Sequence, residues 1–249
     1  MESKLIELNK QGYNPLTYSQ DIILAVETLK VIGATQIWEL GCGSGDWSIC
    51  VDKMYQPGFA EFHLIDNFAF CNGDTDIINK LGYYWPVDEQ DIKNHLSEAK
   101  LDYKFHNIYI NNLPKPKDPI DFVRLDTGGE TAETIQWCLD NLSEYGIIQC
   151  ADITINKSFR KVMLMTEEVI KGNLELLWLG EAEGVWCRKG KCEYLRNKLF
   201  NNTNLQEYFG EYHLSRFTLM DVKYKYIRAR LKASRYSRVR REIERTQNP

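Results

Sequence analysis

No run of about 18 apolar residues occurs anywhere in the chain, which excludes a membrane-spanning helix. Paired cysteines are missing as well. The seven thiols are an odd number, no CxxC pair occurs, and Cys42, Cys50, Cys71, Cys138 and Cys150 sit in or beside apolar runs. That usage predicts reduced, core-packed thiols in a cytoplasmic protein and not a disulfide framework. With only four scattered histidines, a zinc cage has little to be built from. The opening stretch, MESKLIELNKQGYN, lacks the basic, apolar and small-residue segments of a secretion signal. No internal repeat is visible, and no linker interrupts the first 190 residues.

Enough apolar material is present for a sizeable core: 43% of the 249 residues are hydrophobic and 12% aromatic. Charge is unevenly placed. Ten of the 31 Lys/Arg but only two of the 35 Asp/Glu lie in 222–249, so that tail carries +8 and the remainder −12.

Strand and helix signals alternate along the body. A helix is expected from Ser19, with Ile22, Val26 and Leu29 on one face and Gly33 ending it. Strands are expected at QIWEL (36–40), AEFHLID (60–66), YKFHNIYI (103–110), IDFVRLD (120–126) and GIIQCAD (146–152). Between them, helices are expected around DEQDIKNHLSEAK, after Thr131 with Ile135, Cys138, Leu139 and Leu142 inward, and near 157–171. The run LELLWLGEAEGVWCRK reads as a terminal hairpin. Such an order implies an α/β domain with a mostly parallel sheet and an antiparallel edge. We place that domain at 1–190 and a helical, basic extension at 191–249.

The chemistry concentrates in QIWELGCGSGDWS, where Glu39, Gly41, Gly43 and Gly45 close the first strand. A pyrophosphate turn needs G-x-G-x-x-G, but the third residue after Gly43 is Asp46, which would repel phosphate. No Lys-Ser/Thr pair follows, so a P-loop is excluded. Glu39, two residues before the first glycine, suits a ligand with an ammonium group and a cationic centre. Asp66 closes the next strand, placed to accept bonds from ribose hydroxyls, and Asp126 closes the fourth. S-adenosylmethionine combines an amino group, a sulfonium and a ribose without phosphate.

On these residues the chain resembles the class I S-adenosylmethionine-dependent methyltransferases, through ELGCGSG, HLID and the LELLWLGEAEGVWC hairpin. From about Pro15 to Lys189 it is similar to the branch of sugar and small-molecule O-methyltransferases and cephalosporin-hydroxylase-like proteins. The resemblance implies a Rossmann-like, seven-stranded, mostly parallel sheet of order 3-2-1-4-5-7-6 with helices on both faces. It also implies Glu39 and Gly41 at the methionine end of the cofactor, Gly43 and Gly45 in close backbone approach, Asp66 on the ribose, and Asn107 near the adenine. Asp126 belongs to both the cofactor and the acceptor side.

Transfer from a sulfonium to a hydroxyl requires alignment, exclusion of water and an acceptor for the proton. The candidates are Asp126, Asp152 and Glu130, with His106 and His213 as weaker bases. Asp126 and Asp152 could share a Mg²⁺ as hard oxygen ligands, as metal-dependent members of the resembling branch do. This chain departs from that pattern, with Thr127, Gly128, Gly129 and Glu130 after the fourth strand and Ala151 before Asp152.

The expected activity is O-methylation of a sugar or other small hydroxylated acceptor. Two alternatives stay open: a module that binds the cofactor without catalysis, and an RNA methyltransferase whose basic tail, with Tyr224, Tyr226 and Tyr236, holds nucleic acid. The tail also suits docking on the acidic body or on a second subunit of a homo-oligomer. No apolar face argues for a membrane partner.

Overall fold

The computed structural model describes residues 7, 19–43, 45–55, 60–67, 89–97, 101–127, 129–151, 159–179, 183–201 and 205. Seven strands form one sheet: β1 (Gln36–Leu40), β2 (Glu61–Asp66), β3 (Asp102–Asn107), β4 (Ile120–Leu125), β5 (Leu142–Cys150), β6 (Leu174–Leu179) and β7 (Gly184–Arg188). Their spatial order is β3-β2-β1-β4-β5-β7-β6. The first five pair in parallel, and β7 runs antiparallel to both β5 and β6. This is the order that the resemblance implied.

Central parallel strands are buried on both sides, so they read as nearly unbroken apolar runs. Successive side chains feed two cores. Ile37, Phe62, Leu64, Phe122, Ile147 and Val185 pack under α1 (Ser19–Ile32), α2 (Asp46–Tyr55), α3 (Glu89–His95) and α6 (Cys192–Phe200). Trp38, Leu40, Val123, Leu125, Ile148 and Trp186 pack under α4 (Ala132–Asn141) and α5 (Phe159–Lys171). Thr131 caps α4 as expected, in a reciprocal box with Thr134. Part of the 191–249 stretch joins the first core, through Leu195, Leu199 and Leu205. Arg196 anchors α6 by donating to Leu176 O (2.8 Å) and Leu177 O (2.9 Å). Among the described residues no helix is long and apolar enough to cross a membrane.

The fifth strand departs most from expectation. β5 begins at Leu142 and not at Gly146, because Leu142 already pairs with Ile120 and the register then shifts before Phe122 meets Ile147. Gly146 is pressed into this irregularity: a Cβ there would lie 2.6 Å from Leu142 Cγ and 2.7 Å from Ile120 O. Only a residue without a side chain fits that bend. The third and fourth strands stop at Asn107 and Leu125, short of the expected ends.

His63 on β2 and His106 on β3 form a stacked pair, with Nδ1 of His63 2.9 Å from Nε2 of His106. Trp38 stacks on His63 at 4.1 Å, on the sheet face opposite its neighbour Glu39. Burial, followed by the neighbouring His106, lowers the His63 pKa from 6.5 to about 4. The folded chain therefore stays unprotonated there while the unfolded chain takes up a proton. Its contribution to stability is intact above pH 6.5 and is lost as pH falls towards about 4. We expect urea midpoints to fall through this window by the equivalent of roughly 2 kcal/mol, allowing for partial exposure. His63→Phe should flatten that fall relative to the parent protein.

Candidate cofactor and active site

β1 delivers the chain into the glycine turn beside the ends of β2 and β4. Gly41 N donates to Ile65 O at 2.7 Å, and Asp126 N donates to Leu40 O at 2.8 Å. Gly41, Gly43 and Gly45 all have positive φ (86°, 50° and 76°). At Gly41 the reason is visible. A Cβ would lie 2.6 Å from both Asp126 O and Thr127 Cγ2, so the turn is wedged against the end of β4. Asp46 opens α2, and Ile49 N closes its first turn on Gly45 O at 2.9 Å.

Asp66, at the end of β2, accepts from Gly43 N through Oδ2 at 3.0 Å. Asn107 is its register partner on β3. The glycine turn, Asp66 and Asn107 thus meet at the carboxyl edge of three adjacent strands. Open α/β sheets bind ligands at this edge, where the strand order reverses between β1 and β4.

Glu39 is nearly inaccessible, at 1% exposure, and both of its oxygens are engaged. Oε1 accepts from Arg124 Nη1 at 2.8 Å, and Oε2 accepts from the Ser48 hydroxyl. Burial raises its pKa to about 7; Arg124 and Ser48 pull the other way. Arg124 sits one strand over, in register with Glu39. Its Nη1 also lies 2.7 Å from Asp126 Oδ2, and its Nη2 donates to Glu183 Oε1 at 2.9 Å. The guanidinium carbon is 5.1 Å from the centre of the Trp47 ring. Burial works to lower the Arg124 pKa, but the carboxylates of Asp126, Glu183 and Glu39 hold it above its ordinary value. Glu183, just before β7, also accepts from the Gln149 amide, while its N–H donates to Asp21 Oδ2 at 3.2 Å.

Glu130 is buried as well. Its Oε1 accepts from Thr127 N at 3.0 Å and lies 3.3 Å from Lys161 Nζ. Lys161, on α5, reaches Ala151 O at 3.2 Å and Leu125 O at 3.5 Å. A carboxylate held in this way is the partner of a lysine and of a loop amide, which leaves little of it to face an acceptor. Asp126 is different, since about a third of its side chain (31%) remains exposed.

Asp152 and His213 lie outside the described residues, as do residues 202–204 and the whole basic tail. Among the described residues, no group of three or more His, Cys, Asp or Glu is placed to hold a metal ion. Of the two ligands expected for Mg²⁺, Asp152 thus lies outside the described residues, and Asp126 has one oxygen 2.7 Å from Arg124 Nη1. His106 is turned to His63, on the face away from Glu39.

Three participants escaped the sequence reading: Arg124, Glu183 and Lys161. Arg124 carried the one usable signal, a lone cation in the apolar strand IDFVRLD two residues before its closing acid. Lys161 stands in FRKVMLM, where a solvated helix lysine would look the same.

No family model matches the chain, and no curated protein does. Solved structures do. The O-methyltransferase NovP is 16% identical over 68% of this chain and 78% of its own, with a TM-score of 0.50. A putative O-methyltransferase from Klebsiella pneumoniae is 11% identical over 76% of this chain and 89% of its own, with a TM-score of 0.51. The cofactor-bound Rv0187 from MTB is 13% identical over 76% and 88%, with a TM-score of 0.50. With the sheet order and the glycine turn already in place, these likenesses settle the architecture: the chain has the fold of the class I S-adenosylmethionine-dependent methyltransferases.

Proposed function

We propose that the chain binds S-adenosylmethionine and transfers its methyl group to a hydroxyl of a sugar or other small acceptor. The observation that carries this reading is a wedged glycine turn flanked by half-buried strand-end acids, Asp66 on one side and Asp126 on the other. Asp66 stands where a ribose diol can bind, and Asp126, with Glu39 beneath it, faces the side where a cationic amino-acid end fits. In the transfer, the acceptor oxygen attacks the methyl carbon, the carbon–sulfur bond breaks, and the neutral thioether leaves. Asp126, the partly exposed acid at the β4 end, takes the hydroxyl proton. The likeness in fold to the O-methyltransferase NovP supports the reading.

Calorimetry tests the cofactor: S-adenosylmethionine and S-adenosylhomocysteine should give saturable heat, and NAD none. If NAD saturates the site and neither sulfur nucleoside binds, the reading fails. Labelled S-adenosylmethionine offered to nucleotide sugars, free glycans and phenols then searches for the acceptor. With an acceptor in hand, Asp126→Asn should cut turnover at saturating cofactor by about 100-fold or more.

A second reading, a binding module without turnover, is favoured by two contacts: Arg124 on Asp126 and Lys161 on Glu130. Tight cofactor binding with no transfer across that panel would select it.

A further inference from the structure

Arg124 is an expensive residue for its place. Its strand neighbours Phe122, Val123 and Leu125 are fully buried apolar residues, and packing would be satisfied by another of the kind. Instead a guanidinium is buried among three carboxylates, and among the described residues its Nε finds no partner, nor do the nearby Trp47 Nε1 and Gln149 Oε1. Two of the three carboxylates, Glu39 and Asp126, lie on opposite sides of the β1–β4 cleft, and one nitrogen, Nη1, joins them. The other nitrogen, Nη2, ties this pair to Glu183 at the start of the terminal hairpin strand. Trp47, in the first turn of α2 beyond the glycines, lies under the plane. Asp126 is the member of the set that still reaches the cleft, so a planar fork fixed on three sides decides where its free oxygen points.

We infer that Arg124 is the positioning residue for the amino-acid end of the cofactor, its fork holding Glu39 and Asp126 across the β1–β4 cleft. The inference rests on the cofactor reading above. The nucleoside end lies on the other side of the glycine turn, at Asp66 and Gly43. Arg124 should therefore act on one end of the ligand and spare the other.

The test compares two ligands by calorimetry. S-adenosylhomocysteine carries both ends, whereas 5′-methylthioadenosine keeps the nucleoside and sulfur without the amino acid. Arg124→Lys, which keeps a charge but loses the fork, should weaken S-adenosylhomocysteine by about tenfold or more and leave methylthioadenosine within about twofold. Glu183→Gln, which weakens the hold on the fork's other nitrogen, should narrow the same preference by a smaller factor and serves if the lysine variant does not fold. Equal weakening of both ligands would reduce Arg124 to a strut and overturn the inference, as would an unchanged preference in the folded variants. A parent protein that binds neither ligand overturns the cofactor reading and the inference with it. Parent binding with an unchanged preference in the variants overturns the inference alone.

Discussion

Gly41→Ala should cost about 3 kcal/mol of folding stability and abolish cofactor binding under conditions where the parent saturates. Two independent costs add at this position. The backbone φ of 86° lies in the left-handed region, which is strained for any residue with a Cβ. The added carbon would also stand 2.6 Å from the carbonyl oxygen of Asp126, and a backbone atom at the end of a central strand cannot step aside as a side-chain tip can. Relief must come from separating the turn from the end of β4. That movement also breaks the bond from Asp126 N to Leu40 O and widens the cleft that Arg124 bridges. The turn would then lose both its shape and its distance to Asp126. Gly33→Ala is the control: it shares a positive φ of 63° but has open space around it, so it should show the conformational cost alone, about 1 kcal/mol. Urea denaturation and calorimetry with S-adenosylhomocysteine read both effects. A Gly41→Ala protein as stable as the control variant and still binding would refute the wedge.

The sheet was legible because its signals are local and repeated. Each of the strands ending at Leu40, Asp66 and Leu125 is a short apolar run, and an acid or glycine stops each one where the backbone leaves the sheet. A wedged glycine and a strand-end carboxylate leave a mark within a few residues of sequence. The start of β5 did not, because Leu142 belongs by pattern to the buried stripe of α4 and becomes a strand residue only through Ile120, far away in sequence. The buried ion network was illegible for the same reason. Glu39, Arg124 and Glu183 are 85 and 59 residues apart, and only sheet register and the hairpin bring them together. The sequence offers Glu39 as a contact for a ligand's cation, and the structure places a cation of the protein's own, Arg124, against it. An acid before a glycine turn announces that positive charge belongs nearby. The letters do not reveal whether a ligand or an arginine supplies it.

Lys161→Met should cost about 3–5 kcal/mol, because it leaves Glu130 buried without its counter-charge. The ammonium joins three segments at the carboxyl edge: Leu125 O at the end of β4, Ala151 O just past β5, and Glu130 ahead of α4. Each of those carbonyls belongs to the residue immediately before an acid, Asp126 in one case and Asp152 in the other. Methionine fills the same volume without a charge, so packing alone would predict a small loss. Glu130→Gln retains a hydrogen-bonding partner for Thr127 N and should cost less, about 1–2 kcal/mol. The double variant decides the cause. If an unpaired buried carboxylate is what destabilises Lys161→Met, adding Glu130→Gln should recover about 1–3 kcal/mol, a coupling readable from urea midpoints. Strict additivity would mean that the lysine acts through its two carbonyl contacts only. In that case Glu130 would be free of its ion pair in solution and would return as a candidate base.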